Sequence, residues 1–395
     1  MRYRKFGKLD WKPSALGFGC MRLPVLDQDW SHIDEAEAIR MIRHAIDHGV
    51  NYVDTAFPYH VGNSERVVGK ALKDGYRQKV KLATKLAPWL LKSGDDFDRF
   101  FNNQLERLQT DKIDFYLLHG LNRHFWKQMQ EWKAVRWVED KITAGQVGYL
   151  GFSFHDDYDV FKQIVDAYDN WTFCQIMYNY MDVDNQAGRR GLKYAAGKGL
   201  AVVIMEPIRG GSLAKEPPEL VAKVWQTFSI DRSLAEWALQ WVWNHPEVSI
   251  VLSGMSTMQQ VIENLASAEH SGPGKLTKDE LSLIDKVRKA YRGYSPVPCT
   301  ECGYCLPCPN GVEIPTIFRI FNEASMYDDF NFPQFIYMGA VPAGLKEDQR
   351  ADNCQECLEC VEKCPQQIAI PDWLKKAHEK LFVKDFKPPP PPPPE

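Results

Sequence analysis

The chain predicts a (β/α)8 barrel, an α/β fold, followed by a small, separate and largely helical C-terminal domain. From about Leu16 to Ala290, short β-branched or aromatic runs alternate with longer segments of helical period, the pattern of repeated β-α units around a parallel sheet. Eight such units can be counted, and eight units in about 290 residues close a barrel. The annex is marked by its cysteines: eight of the 10 lie between Cys299 and Cys364, after a change of composition at Ser295-Pro296-Val297-Pro298.

The predicted strands are Leu16–Cys20, Tyr52–Thr55, Val80–Thr84, Ile113–His119, Val147–Ser153, Phe173–Met177, Ala201–Met205 and Ser249–Leu252. Helices are predicted at Glu35–His48, Ser64–Lys73, Phe97–Leu108, Trp126–Ala144, Tyr158–Tyr168, Ala187–Lys198, Leu234–Asn244 and Met258–Ala268. Gly49, Gly145 and Gly199 each follow a helix and precede a strand, where a left-handed cap residue is wanted. A doubly wound open sheet fits less well, since no Gly-x-Gly-x-x-Gly turn follows an early strand. Lys275–Tyr291 reads as one further helix outside the barrel. The predicted domains are thus residues 1–292, a barrel; 295–375, the cysteine-bearing domain; and 376–395, a tail ending in the polyproline run Pro388–Pro394.

Among the 395 residues, 48 Lys and Arg against 52 Asp and Glu leave a formal charge of −4 without a long basic run, which argues against nucleic acid or an anionic membrane surface as partner. No apolar stretch approaches the roughly 20 residues that span a bilayer, and the first residues lack the apolar core of a signal peptide. A cytoplasmic protein is expected, with small molecules or proteins as partners.

The first cysteine run is Cys299-x2-Cys302-x2-Cys305-x2-Cys308-Pro309, and the second is Cys354-x2-Cys357-x2-Cys360-x3-Cys364-Pro365. The second has the bacterial ferredoxin spacing, in which three cysteines hold one [4Fe-4S] cube and the fourth, before proline, reaches a neighbouring cluster. By that rule two [4Fe-4S] clusters form, one on Cys354, Cys357, Cys360 and Cys308, the other on Cys299, Cys302, Cys305 and Cys364. Structural zinc is the alternative, because two Cys-x2-Cys pairs make a tetrahedral site. Two runs of three evenly spaced cysteines plus a Cys-Pro exceed what zinc requires. Ile314–Ala324, between the runs, has helical period, so the annex is expected to be helical.

In a (β/α)8 barrel the reactive groups stand at the C-terminal ends of the strands. Asp54 ends the second strand, Tyr59 lies in the loop after it, Lys85 ends the third and His119 the fourth. An ammonium paired to a carboxylate lowers the pKa of a nearby phenol and helps it donate a proton, and a neighbouring imidazole orients a carbonyl oxygen. Each residue alone has an ordinary explanation: a helix cap, a rim lysine, a packed ring or a structural histidine. Together, at successive strand ends, they suit protonation of a ketone or aldehyde as hydride arrives at its carbon. Phe57, Trp89 and the Leu121–Trp126 loop are expected at the barrel mouth, where they suggest a partly apolar pocket.

Tyr3-Arg4-Lys5-Phe6-Gly7-Lys8, Leu16-Gly17-Phe18-Gly19, Asp54-Thr55-Ala56-x-x-Tyr59, the stretch Gly62 to Leu72, Thr84-Lys85, Asp114 to His119, Gly151-Phe152-Ser153 and Glu263-Asn264 resemble the signatures of the aldo-keto reductases. With the cysteine runs, the chain resembles the branch of that family that bears a C-terminal 4Fe-4S domain. The resemblance implies a (β/α)8 barrel, carbonyl–alcohol interconversion with NAD(P)H, and a catalytic tetrad at Asp54, Tyr59, Lys85 and His119. It also implies carboxamide contacts at Ser153 and Gln175, a pyrophosphate loop at Ser212 and Leu213, and adenine contacts at Glu263 and Asn264. Phe154 stands where many members have Asn, and Met205 where an aromatic ring stacks on the nicotinamide. Gly254 and Gln260, where basic residues would grip a 2′-phosphate, carry no charge.

The leading expectation is an oxidoreductase acting on a small carbonyl or alcohol, its clusters exchanging electrons with a ferredoxin-like protein. Hydride moves two electrons at once and each cluster one, so direct coupling needs a carrier or partner. Two alternatives are an electron-transfer or docking protein whose barrel binds without turnover, and clusters that only brace the annex.

Overall fold

The computed structural model describes residues 1–387 except Gln28, Thr300, Pro342 and Ala343. The predicted polyproline run lies outside the described residues. The chain divides into two compact units: the first holds Met1–Ala214 and Asp231–Leu281, the second Lys215–Ile230 and the described chain from Ser282 onward.

The first unit is a closed barrel of eight parallel strands in sequence order. They are β1 (Leu16–Gly19), β2 (Tyr52–Asp54), β3 (Lys81–Leu86), β4 (Ile113–Leu121), β5 (Val147–Phe154), β6 (Phe173–Met177), β7 (Ala201–Met205) and β8 (Val248–Gly254). Closure comes from β1 beside β8, with Leu16 opposite Val251 and Gly19 opposite Gly254. Each strand faces the barrel interior on one side and helices on the other. Apolar, β-branched runs are therefore buried over nearly their whole length, as parallel sheets require.

Around the strands lie α1 (Glu35–Asp47), α2 (Ser64–Ala71), α3 (Phe97–Leu108), α4 (Arg123–Glu131), α5 (Ala134–Thr143), α6 (Tyr158–Asp166) and α7 (Gly188–Gly197). After α8 (Glu219–Trp225), which belongs to the second unit, come α9 (Leu234–Trp243) and α10 (Met258–Glu269). Their starts follow side-chain chemistry: Asp34, Asp157, Ser233 and Thr257 each accept a backbone N–H of the first turn, worth about 1 kcal/mol per cap. Gly49, Gly145 and Gly199 take φ of +95°, +76° and +84° at the predicted turns. The single helix predicted over Trp126–Ala144 is two, α4 and α5, broken where Lys133 adopts φ +58°.

The N-terminal hairpin closes one end of the barrel. Phe6 is fully buried against Phe115 at 4.9 Å and Phe173 at 5.7 Å between ring centroids, a burial worth roughly 2–3 kcal/mol. Gly7 permits this approach: a Cβ there would stand 2.7 Å from the Ala201 backbone nitrogen.

The helix α11 (Lys278–Arg292) spans the point where the units divide. The second unit then carries α12 (Ile314–Tyr327), α13 (Asn331–Tyr337), α14 (Glu359–Glu362) and α15 (Ile370–Leu381). It is helical, as expected, but α15 runs past residue 375, so the region predicted as tail from 376 begins as helix. Its core is built from Ile317, Phe318, Phe321, Leu374 and Leu381, with six of the eight cysteines packed against it.

Candidate functional site

Lys85, the fifth residue of β3, is 1% exposed and uses all three of its ammonium protons. Nζ donates to Asp54 Oδ1 at 2.6 Å, to the Thr55 carbonyl at 2.9 Å and to the Tyr59 hydroxyl at 3.2 Å. The residues predicted at three consecutive positions of the barrel rim thus meet at one nitrogen. His119, on β4, sets the edge of its ring 6.0 Å from the Tyr59 centroid and packs against Trp89 at 4.8 Å. Phe57, expected at the mouth, instead packs on Phe100 at 4.6 Å with the Arg107 guanidinium 4.0 Å over its ring.

The electrostatics follow from burial and one charge pair. Burial opposes the Lys85 ammonium, but Asp54 and Tyr59 together outweigh it and raise its pKa, so it stays charged. Burial also pushes the Asp54 carboxyl up, with Lys85 pulling it back in part. For Tyr59 the sequence suggested a lowered pKa. Lys85 does act in that direction, but burial outweighs it and the phenol is raised, a desolvation that spacing along the chain does not reveal. Burial, then Lys85 and His155, hold His119 well below the ordinary imidazole range, so its ring is neutral at pH 7.

Tyr59 is held by a tight loop. His60, Val61 and Gly62 take φ of +53°, +54° and +92° in succession, a conformation disfavoured for a β-branched residue such as Val61. His60, fully buried, fixes the loop: Nε2 accepts the Leu23 N–H at 3.2 Å, Nδ1–H donates to the Trp30 carbonyl at 2.8 Å, and Trp30 stacks on the ring at 4.2 Å.

A second polar layer lies under Lys85. Thr84 Oγ1 and Gln104 Nε2 donate to Glu65 Oε1 at 2.6 and 2.8 Å, Gln104 Nε2 also reaches the Lys85 carbonyl at 3.0 Å, and Tyr116 donates to Gln104 Oε1 at 2.6 Å. Burial raises the Glu65 carboxyl to about 7. Neither Gln104 nor His60 stood out in the sequence. Glu65 appeared there only as one residue of the quoted Gly62–Leu72 stretch, with no role attached.

The residues matched to coenzyme contacts are placed unevenly. Ser153, the penultimate residue of β5, accepts the N–H of Gly120, the residue after His119, at 2.8 Å. Gln175, on β6, is 2% exposed and its Oε1 has no hydrogen-bond partner among the described residues. That orphaned acceptor, with the unpartnered His119 Nδ1, fits a bound group carrying its own donors, as a carboxamide does. Ser212 and the buried Leu213 lie in the turn Arg209–Ala214 after β7. On α10, Glu263 is exposed and accepts from Gln259 at 2.8 Å, while the buried Asn264 donates to Ser253 Oγ at 3.0 Å.

In the second unit the cysteines sort into two separate cavities. Cys299, Cys302, Cys305 and Cys364 line the first, with Ile314 and Phe318. Cys308, Cys354, Cys357 and Cys360 line the second, with Val312 and Leu374. Among the described residues no three Cys, His, Asp or Glu side chains converge closely enough to hold a single metal ion. Four thiols around each cavity, with apolar side chains beside them, are the donor set of a [4Fe-4S] cluster, in which each cysteine takes its own iron.

Residues 15–289 match the aldo/keto reductase family and residues 298–369 match a 4Fe-4S dicluster domain. L-galactose dehydrogenase of Arabidopsis thaliana is 27% identical over 307 residues, covering 72% of this chain and 93% of that protein. Methylglyoxal reductase YeaE of Escherichia coli is 27% identical over 293 residues, covering 70% and 94%. Among solved structures, the holo form of aldo-keto reductase AKR11C1 from Bacillus halodurans superposes with a TM-score of 0.61 at 30% identity, covering 73% of this chain and 97% of that one. No helix among the described residues is long and apolar enough to cross a membrane. The chain belongs to the aldo/keto reductase family and is an oxidoreductase with an added 4Fe-4S dicluster domain.

Proposed function

We propose that the barrel interconverts a small carbonyl compound and its alcohol, with Tyr59 as proton donor, Lys85 and Asp54 as the charge pair that stabilises its conjugate base, and His119 as the group that orients the substrate oxygen. The observation that carries this reading is the Lys85 ammonium held between Asp54 at 2.6 Å and Tyr59 at 3.2 Å. Because burial raises its pKa, Tyr59 holds its proton at neutral pH. Once the proton passes to the substrate oxygen, the tyrosinate faces a full positive charge already fixed by three hydrogen bonds, so little reorganisation is needed. A neutral His119 donates or accepts one hydrogen bond without placing a second cation beside Lys85.

A nicotinamide coenzyme, when bound, supplies or takes up the hydride. Ser153 and Gln175 would hold its carboxamide, Ser212 and Leu213 its pyrophosphate, and Glu263 and Asn264 its adenine. The unpartnered, buried Gln175 Oε1 supports the first of these assignments.

In the second unit the reading is two [4Fe-4S] clusters, one on Cys299, Cys302, Cys305 and Cys364, the other on Cys308, Cys354, Cys357 and Cys360. The two separate cysteine-lined cavities support it. Bound clusters would pass single electrons to or from a ferredoxin-like protein in the cytoplasm.

The test is Tyr59→Phe in the cluster-loaded protein. Loss of the proton donor should lower kcat for carbonyl reduction by about 10²- to 10⁴-fold, with coenzyme Kd changed by less than about twofold. Undiminished turnover by the variant would leave the barrel without its acid. Absence of turnover by the native protein across carbonyls and alcohols, with clusters still reduced by a protein donor, would favour the docking alternative.

A further inference from the structure

We propose that Arg22 supplies the cation for the coenzyme's diphosphate. The inference rests on the nicotinamide reading above and adds a residue to it. The positions that the family resemblance assigns to gripping a 2′-phosphate are neutral here: Gly254 ends β8 and Gln260 lies in the first turn of α10. Gln260 is moreover committed, its Oε1 accepting the Ser256 N–H at 2.8 Å.

The structure brings a charge to the same place from the other side of the strand pair. Arg22 follows β1, the strand that pairs with β8, in the short turn Cys20–Arg22. Its Cβ, Cγ and Cδ lie 3.2, 3.3 and 3.4 Å from where a Cβ on Gly254 would stand. Its Nη2 lies 2.9 Å from the corresponding position on Gly210. The side chain therefore runs across one glycine and ends at another, and a side chain at either position would crowd it. Gly210 and Gly211 take φ of +63° and +100° in the turn that also carries Ser212 and Leu213.

The backbone of Arg22 is anchored, since its carbonyl accepts the Ser256 hydroxyl at 2.8 Å. Its guanidinium is exposed, and among the described residues no carboxylate forms a salt bridge with it. An arginine fork held at the pyrophosphate turn matches a diphosphate in bidentate fashion. The tip lies at Gly210, in the turn for the diphosphate, while the stem crosses Gly254, where a 2′-phosphate would be gripped. The cation accordingly addresses the part that NAD(H) and NADP(H) share, and the protein should accept both coenzymes with similar affinity.

The experiment measures Kd by titration calorimetry for NAD⁺, NADP⁺, ADP and adenosine with the intact, cluster-loaded protein and with Arg22→Ala and Arg22→Lys. Removing a charge-assisted contact should weaken NAD⁺, NADP⁺ and ADP alike by about 10- to 100-fold and leave adenosine unchanged. Arg22→Lys, a point charge without the fork, should recover part of the loss. Weakening confined to NADP⁺ would place Arg22 on the 2′-phosphate and overturn the assignment. So would unchanged affinity for all four ligands in a protein whose native form binds them. A native protein that binds neither dinucleotide would instead overturn the nicotinamide reading, and this inference with it.

Discussion

Glu65 sits at the floor of the site with no exposed surface, and its carboxyl is raised from an ordinary 4.5 to about 7, chiefly by burial. The hydrogen bonds from Thr84 and Gln104 and the charges of Arg107 and Lys85 offset only part of that burial. Between those two pH values the folded chain holds a proton that the unfolded chain has released. Stability is therefore fully expressed below about pH 4.5, falls as pH climbs toward 7, and levels off above it. The span from 4.5 to about 7, at about 1.4 kcal/mol per pH unit, amounts to about 3 kcal/mol. Glu65→Gln retains the Oε1 acceptor for Thr84 and Gln104 but cannot ionise, so this contribution to the slope disappears. Hydrogen exchange of the Thr84 and Lys85 amides, followed by mass spectrometry from pH 5 to 8 and corrected for intrinsic exchange, reads the local opening free energy in both proteins. The variant should gain on the native protein by about 3 kcal/mol across that range. Parallel lines would show that Glu65 does not titrate there and that burial is not what governs it.

Lys85→Met should destabilise the barrel by about 3–5 kcal/mol by leaving Asp54 buried without its counter-charge, and adding Asp54→Leu should restore most of that; thermal unfolding of the single and double variants checks it. Asp114 accepts from Leu82 N–H at 3.0 Å and pairs with Arg77 and Lys81. Burial alone would raise its pKa, but these partners together hold it below 3.8. Its contribution is present above the unfolded value and lost as pH falls through the folded one, so Asp114→Asn should lower Tm at pH 6 and show a shrinking deficit as pH falls below 3.8. Cys302→Ser and Cys357→Ser should each leave about half of some eight iron atoms per chain; loss of all the iron from either variant would point to one shared cluster.

Most of the barrel was legible because a parallel strand covered on both faces must be an unbroken apolar run, so Phe173–Met177 and Ala201–Met205 coincide with the predicted spans. The break between α4 and α5 was not legible. Lys133 enters the left-handed region without a glycine or proline to announce it. In the second unit, α13 and α15 escaped notice because each is read against prolines, Pro333 and Pro371, and for α15 the proline marks a helix start. At the site, two strand ends and the loop after β2 named Asp54, Lys85 and Tyr59, which meet at the Lys85 ammonium, and a third strand end named His119 beside Tyr59. Spacing could not supply the extent of burial, which reverses the net effect on Tyr59 and raises the Glu65 carboxyl to about 7. Gln104 is a similar case: it reads as a polar residue within α3, and only the packing of α3 against α2 and β3 turns it inward onto Glu65.

The partition of the cysteines also bears on how the chain matures. Cys364 lines the first cavity and Cys308 the second, so on the proposed pairing neither run completes its own thiol set. On that pairing, a chain still emerging from the ribosome, with Cys308 exposed but Cys354 not yet made, would have three of four ligands for one cluster and one of four for the other. The helix α12 and the residues up to Asn353 must be synthesised and folded back before either cage closes. Cofactor loading would then be the closing of a clasp, in which thiols from both ends of the unit must meet before either cluster is held.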